Sequence, residues 1–284
     1  MLAFNELGNN GRLGNQMFQY AALRGIAANK GYEWCVPPFN LRRVDNYSLH
    51  KCFEMNTVSS KNQYLLDRGH APVVIERFFN FDQELFDLCP NDVSIHGFFQ
   101  TEKYFKHIRP VLLSDFKFLP HILEPVQEFV SELNNPIFLH VRRGDPNLVD
   151  ARGFKWSYTE CSDQHPPQTL EYYKEALSHF PDDQEVIVVS DSPEWVSEQE
   201  LFKPDRFYIS TPDEKYPDGS YTPYVDLCLM SLCKGGIIAN SSLSWWGAWL
   251  QKGKNKVIAP KNWFGPSYAD KNTSDLYCDG WVII

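Results

Sequence analysis

At residues 140–145 the chain reads "HVRRGD", directly after the apolar run "PIFL". Arginine is seldom buried without a partner, so Arg142 and Arg143 at the end of an apolar strand call for one. A forked guanidinium suits a diphosphate; a salt bridge from Arg143 to Asp145 is the structural alternative. In "NSSLSWW" (240–246) Ser241, Ser242 and Ser244 open a helical pattern, where hydroxyls, backbone N–H groups and the helix dipole all favour phosphate. Either Ser241 or Ser242 can equally be the helix N-cap. In "VVSDSPEW" (188–195) Asp191 follows a strand and can accept two hydrogen bonds from a guanine edge, or cap the next helix.

The loop "GNNGRLGNQ" (8–16) spaces Gly8, Gly11 and Gly14 before a helix, which implies a tight turn close to a ligand or another domain. It is no Walker A motif, because no Gly-Lys-Ser/Thr follows. Metal spacing is missing, and "PDDQ" (181–184) precedes its strand instead of ending it. No metal is therefore expected. Trp245, Trp246 and Trp249 fit a core better than a ligand platform.

These motifs need strands to carry them. "MLAFNEL" (1–7), the glycine loop, a helix from Gln16 to about Asn29 with Gly31 just beyond it, and "YEWCVPP" give a β–loop–α–β opening. "APVVIERF" and "DVSIHGFF" read as strands, and "TEKYFKHI" as the start of a helix. From about residue 120 the pattern is regular: helix "HILEPVQEFVSEL", strand "PIFLHV", helix 168–180, strand 185–190, a short helix "PEWVSEQEL" and strand "RFYIS". Helix "YVDLCLMSLCKG", strand 236–240, helix "SLSWWGAWLQKG" and strand "KVIAP" complete it. Such alternation predicts βαβ units on a parallel sheet, divided into a first domain at 1–118 and a second at 119–284. Three motifs then end strands of the second domain, where open α/β sheets bind their ligands.

Composition narrows the partners. A net charge of −9 opposes non-specific binding to nucleic acid or anionic membranes, so any anionic ligand must be caught by local arginines. No window approaches the 18 or so apolar residues of a membrane helix. The first residues lack the basic and apolar regions of a signal peptide, and a cytoplasmic protein is expected. The seven cysteines, odd in number and without a CxxC pair, read as reduced and mostly buried. The "RGD" tripeptide follows a buried-looking strand and reads poorly as a receptor ligand.

Together, "GRLGNQMFQYA" (11–21), "HVRRGD" and "SSLSWWGAWL" (241–250) resemble the bacterial-type alpha-1,2-fucosyltransferases. "HxRRxD" is shared more widely, with the alpha-1,6 and protein O-fucosyl branches. The resemblance implies an α/β fold of GT-B type, two facing Rossmann-like domains, with neither metal nor other cofactor. GDP-L-fucose would be held by the C-terminal domain, and fucose passed with inversion to the 2-hydroxyl of a galactose-terminated glycan. A lipid-linked acceptor would bring the protein to a membrane only peripherally.

Carried over residue by residue, Arg142 matches the arginine that grips the β-phosphate and stabilises departing GDP. His140 and Asp191 match residues near the guanine, Ser242 and Ser244 match hydroxyl contacts to the diphosphate, and Asn15 matches a position beside the reacting sugar. Arg143, Ser241 and Gly14 lie in the same motifs and complete the expected donor-binding set. Arg12 stands where most relatives have glycine, which leaves the acceptor class open. Asn15 has no suitable pKa to act as base, so Glu6, Asp145 and His140 are the candidates, beside a route with no dedicated base. A different linkage or nucleotide sugar, or a non-catalytic carbohydrate- or nucleotide-binding protein, are the rival readings.

Overall fold

In the computed structural model, which describes residues 1–40, 47–149, 155–157, 162–211 and 222–284, the glycine loop runs into an 18-residue helix. Of residues 68, 69, 145–149 and 155–157 only the backbone is described. The chain divides into two units, Met1–Leu119 with Lys271–Cys278, and Pro120–Asp270 with Asp279–Ile284. The return of 271–278 to the first unit differs from an uninterrupted second domain at 119–284. Asp275 secures it there, accepting from Lys103 Nζ at 2.5 Å and from the Phe81 backbone N–H at 3.1 Å.

The first unit contains β1 (Leu2–Ala3), α1 (Leu13–Lys30), β2 (Trp34–Cys35), α2 (Leu49–Cys52), β3 (Val73–Ile75), α3 (Gln83–Leu88), β4 (Val93–His96) and α4 (Arg109–Asp115). Its strands are parallel in the order β2-β1-β4-β3. Every residue of α1 from Leu13 to Ala27 except Asn15 is buried, and the helix stops at Gly31, whose φ of 65° suits glycine. Polar residues on so buried a helix need partners. Arg24 pairs with Asp115 at 2.5 Å and lies 4.2 Å over the Trp34 ring, while Tyr20 and Thr57 donate to the same carboxylate at 2.8 and 2.6 Å. "MLAFNEL" shortens to a two-residue strand, and "TEKYFKHI" forms 3-10 turns ahead of α4.

The second unit runs through α5 (Pro120–Ser131), β5 (Ile137–Val141), a hairpin of β6 (Gly144–Val149) and β7 (Lys155–Ser157), α6 (Leu170–Leu177), β8 (Val186–Ser190), α7 (Pro193–Glu198) and β9 (Phe207–Ile209). It continues with α8 (Tyr224–Leu232), β10 (Gly235–Ile237), α9 (Ser242–Leu250), β11 (Lys256–Ala259) and β12 (Val282–Ile283). Neither the hairpin nor β12 was expected from the sequence. The main sheet is parallel in the order β9-β8-β5-β10-β11-β12, a strand order of 3-2-1-4-5-6 counted along the chain. That is the doubly wound Rossmann order.

Buried on both faces, β5 and β8 read as apolar runs broken only by the buried His140 and the terminal Ser190. Gly236 lets β10 pass the Phe138 ring, since a Cβ there would lie 2.2 Å from it. Trp245, Trp246 and Trp249 are core, as their spacing suggested. Among the described cysteines six are free thiols, five of them buried; Cys161 lies outside the described residues.

Candidate functional site

Ligands of open α/β sheets bind outside the carboxyl ends of the strands, at the place where the strand order reverses. In the second unit it lies between β5 and β10, paired as Leu139 with Ile237. The chain leaves β5 through Arg142, Arg143 and Gly144, and leaves β10 through Asn240 and Ser241. Their neighbour β8 ends at Ser190, so Asp191 emerges beside the arginines.

Asp191 does not present an open carboxylate for a guanine edge. One oxygen accepts the backbone N–H of Arg143 at 2.9 Å, the other that of Gly144 at 2.8 Å, and Arg142 pairs with it at 2.5 Å. Ser192 adds a bond from its hydroxyl to the Gly144 carbonyl at 2.9 Å. The arginine loop is thus pinned from its neighbouring strand. Arg142 and Asp191 are each 21% exposed, so the pair borders solvent. Arg143 turns elsewhere and lies 4.0 Å over the Trp195 ring, a cation–π contact.

His140 points into the interior, 2% exposed, and burial pushes it down to about 3, with Asp191 opposing and Arg142 reinforcing that shift. It is neutral at physiological pH and is a poor base. The Tyr173 hydroxyl donates to its backbone carbonyl at 3.2 Å.

The serines separate by role. Ser241 caps α9, accepting from the Leu243 N–H at 3.3 Å. Ser244 is fully buried and donates back to the carbonyl of Ser241 at 3.3 Å, so its hydroxyl serves the helix instead of a diphosphate. Ser242 opens the helix partly exposed. Helix starts carry N–H groups with no intrahelical acceptor, and the α9 start adds them to the same crevice.

Two residues near these were not singled out from sequence. Asp226, in the first turn of α8, accepts from the Ser210 hydroxyl at 2.7 Å. Burial pushes it up to about 7, the Asp191 charge adding to the rise. His165 is held below its usual value by burial first and by the Arg142 charge second.

In the first unit, of strand order 2-1-4-3, the central pair is β1 and β4, joined as Ala3 with Ser94. Here the polar groups are amides. Asn15, in the first turn of α1, accepts from Gln100 Nε2 at 2.8 Å. Gln16 and Gln19, both fully buried, bond the loop itself: Gln16 donates to the Gly11 carbonyl at 3.3 Å, and Gln19 to those of Asn10 and Gly97 at 3.1 and 3.2 Å. Gly11 has φ 81°, and a Cβ on it would lie 2.3 Å from Asn15 Nδ2. Only glycine leaves Asn15 its place. Gly14 is buried within the same first turn. Glu6 is exposed after β1, its carboxylate accepting from Asn9; the Asp145 side chain lies outside the described residues.

Glu76, just beyond β3, was also missed. It accepts the backbone N–H groups of Phe98 and Phe99 at 2.7 and 3.0 Å. Burial pushes it up to about 7 against those two bonds and the Lys271 charge, with Asp82 adding to the rise. Among the described residues no three His, Cys, Asp or Glu side chains are grouped as a metal ion would require, and no helix is long and apolar enough to cross a membrane.

Residues 3–284 match the profile of glycosyl transferase family 11. The alpha-1,2-colitosyltransferase of Escherichia coli is 30% identical over 96% of this chain and 96% of its own length. The O-antigen biosynthesis glycosyltransferase WbnK of the same species is 27% identical over 96% and 98%. Human galactoside alpha-(1,2)-fucosyltransferase 1 is 23% identical over 88% of this chain and 66% of its own length. Among solved structures, the fucosyltransferase NodZ of Bradyrhizobium superposes with a TM-score of 0.56 at 12% identity, covering 88% of this chain and 93% of that one. At such identity the likeness concerns the fold alone, the α/β GT-B type. With the profile matched from residue 3 to residue 284, the chain belongs to glycosyl transferase family 11.

Proposed function

We propose that this glycosyltransferase moves L-fucose from GDP-L-fucose to the 2-hydroxyl of a galactose-terminated acceptor, with inversion and without a metal ion. The observation that carries the reading is the meeting, at one sheet reversal, of the Asp191-pinned arginine loop with the start of α9. That combination suits a diphosphate leaving group, whose growing negative charge dominates the barrier. The 1,2 linkage draws on relatives named for alpha-1,2 transfer.

Arg142 is the donor aimed at the departing GDP, assisted by Ser242 and the N–H groups of α9. Asp226 is the carboxylate we assign to the guanine edge, because Asp191 is already engaged by its own loop. Asn15 orients the acceptor hydroxyl. A carboxylate, Glu6 or Asp145, takes that hydroxyl's proton, and E6Q and D145N separate the two.

One specific observation favours a second donor, since the 30% identical relative is named a colitosyltransferase. Assaying GDP-fucose and nucleotide-activated colitose on lactose, with the product linkage read by NMR, decides between them. Retained activity in EDTA is expected; loss restored by a divalent ion overturns the metal-free mechanism.

A further inference from the structure

The proposed function leaves one arrangement unused, the loop that follows β4. Asn15 is the one residue of the buried stretch of α1 that reaches solvent. Its Oδ1 accepts from Gln100, and its Nδ2 has no hydrogen-bond partner among the described residues. An amide side chain turns freely about its last bond, so the Gln100 bond decides which edge faces outward. With Oδ1 occupied, the outward edge is the donor. A donor there can hold a hydroxyl oxygen through one lone pair and leave the other for attack.

Gln100 can impose this only if its own loop is fixed. Three features fix it. The Glu76 carboxylate receives two successive backbone N–H groups, from Phe98 and Phe99. Gly97 passes so close to Glu76 that a Cβ would lie 2.4 Å from the Glu76 Cβ, and φ at Phe99 is 54°, a value few side chains adopt. Gln19, from α1 itself, ties the Gly97 carbonyl at 3.2 Å. Asn15 and its partner are thus mounted on the segments that follow β1 and β4, the central strands of this sheet.

We propose that Gln100 is a positioning residue for the transfer reaction, fixing the Asn15 amide so that its N–H edge meets the acceptor hydroxyl. The proposal rests on the reading of Asn15 as the residue that orients that hydroxyl. Gln100 touches no reacting atom and acts only through Asn15.

A double-mutant cycle tests it. N15A, Q100A and N15A/Q100A are assayed for kcat and acceptor KM, with GDP affinity and melting temperature measured alongside. Q100A should lower kcat about 10-fold, within the range that misplacing a reactive group produces, while GDP affinity holds. In the N15A background Q100A should cost nothing further. Q100E, of the same size but without the donor, should be impaired like Q100A, which separates positioning from packing. Equal losses from Q100A in both backgrounds, or no loss at all, overturn the proposal while leaving Asn15 in its role. Wild-type turnover in N15A overturns that role and the positioning with it.

Discussion

The centres of the two sheets, where β5 meets β10 and where β1 meets β4, are armed with opposite chemistry. In the second unit the loops beyond β5 and β10 carry an arginine tied to a carboxylate and the start of a helix. In the first, the start of α1 and the loop beyond β4 bring amides together: Asn15 and Gln19 from the helix and Gln100 from the loop. One ligand of the proposed reaction gains charge as it leaves; the other is a neutral hydroxyl that must be aimed. Charged donors suit the first need and amides the second. An amide bond is worth about 1 kcal/mol net, whereas an electrostatic donor aimed at developing charge supplies about 3–4 kcal/mol. Topology provides two crevices, and the side chains decide what each can hold.

The largest effect should therefore fall in the second unit. R142A is expected to lower kcat by about 10²–10³, measured as fucose transfer to lactose. R142K should recover little, because an ammonium cannot reproduce the planar fork held against Asp191. If N15A costs more than R142A, the contrast between charged and neutral sites is broken.

Among the described residues each unit also holds one carboxyl pushed up to about 7, the half-buried Glu76 in the first and the buried Asp226 in the second. In the folded protein both keep their protons well above their usual values of 4.5 and 3.8. Between those values and pH 7 the native state binds more protons than the unfolded chain, so this part of the stability falls as pH rises. Each group contributes at most on the order of 3–4 kcal/mol over its window. Comparing urea midpoints at pH 5 and pH 7.5, E76Q and D226N should each flatten the slope of the wild type. An unchanged slope in E76Q would remove the buried-carboxylate account of the β4 loop.

D226N also sharpens the assignment of the nucleotide. A carboxylate receiving N–H groups from a base contributes about 1.5–3 kcal/mol, so GDP affinity should fall about 10- to 100-fold by calorimetry. Unaltered affinity would exclude Asp226 from the nucleotide contact.

How much of this was legible follows the length of the elements. From α5 to β11 the second unit alternates main-sheet strands of three to five residues with helices of six to twelve, and its pattern showed in the sequence. Strands of two residues carry too little periodicity for their ends to be read: Leu2–Ala3 was drawn as 1–7, and Val282–Ile283 was missed. The motif residues Arg142, Asp191 and Ser241 were found, but their partners were not. Asp191 looked like a ligand contact because sequence shows a carboxylate and not the backbone N–H groups around it. Ser244 looked open and is turned into its own helix. Gln19, Glu76, Gln100 and Asp226 were missed because a polar residue drawn inward by long-range hydrogen bonds has the same letter as one on the surface. Only pairs as distant as Asn15 with Gln100, or Arg143 with Asp191, reveal the difference.

The smallest effect is the one that most directly separates the two crevices. Salt screens exposed charges over a Debye length of about 10 Å at 0.1 M and about 3 Å at 1 M. The Arg142–Asp191 pair borders solvent, so the attraction of the second unit for GDP should weaken about two- to five-fold between those concentrations. The bond from Gln100 to Asn15 joins two neutral amides, which screening leaves alone. Acceptor KM should accordingly hold steady across the same series, once donor is kept saturating. Parallel salt dependence of both constants would mean that charge also operates on the acceptor side, through the Glu6 carboxylate exposed after β1. E6Q should then restore the salt-independent KM, and a KM that still follows salt in E6Q would end the division of labour between the charged and the neutral crevice.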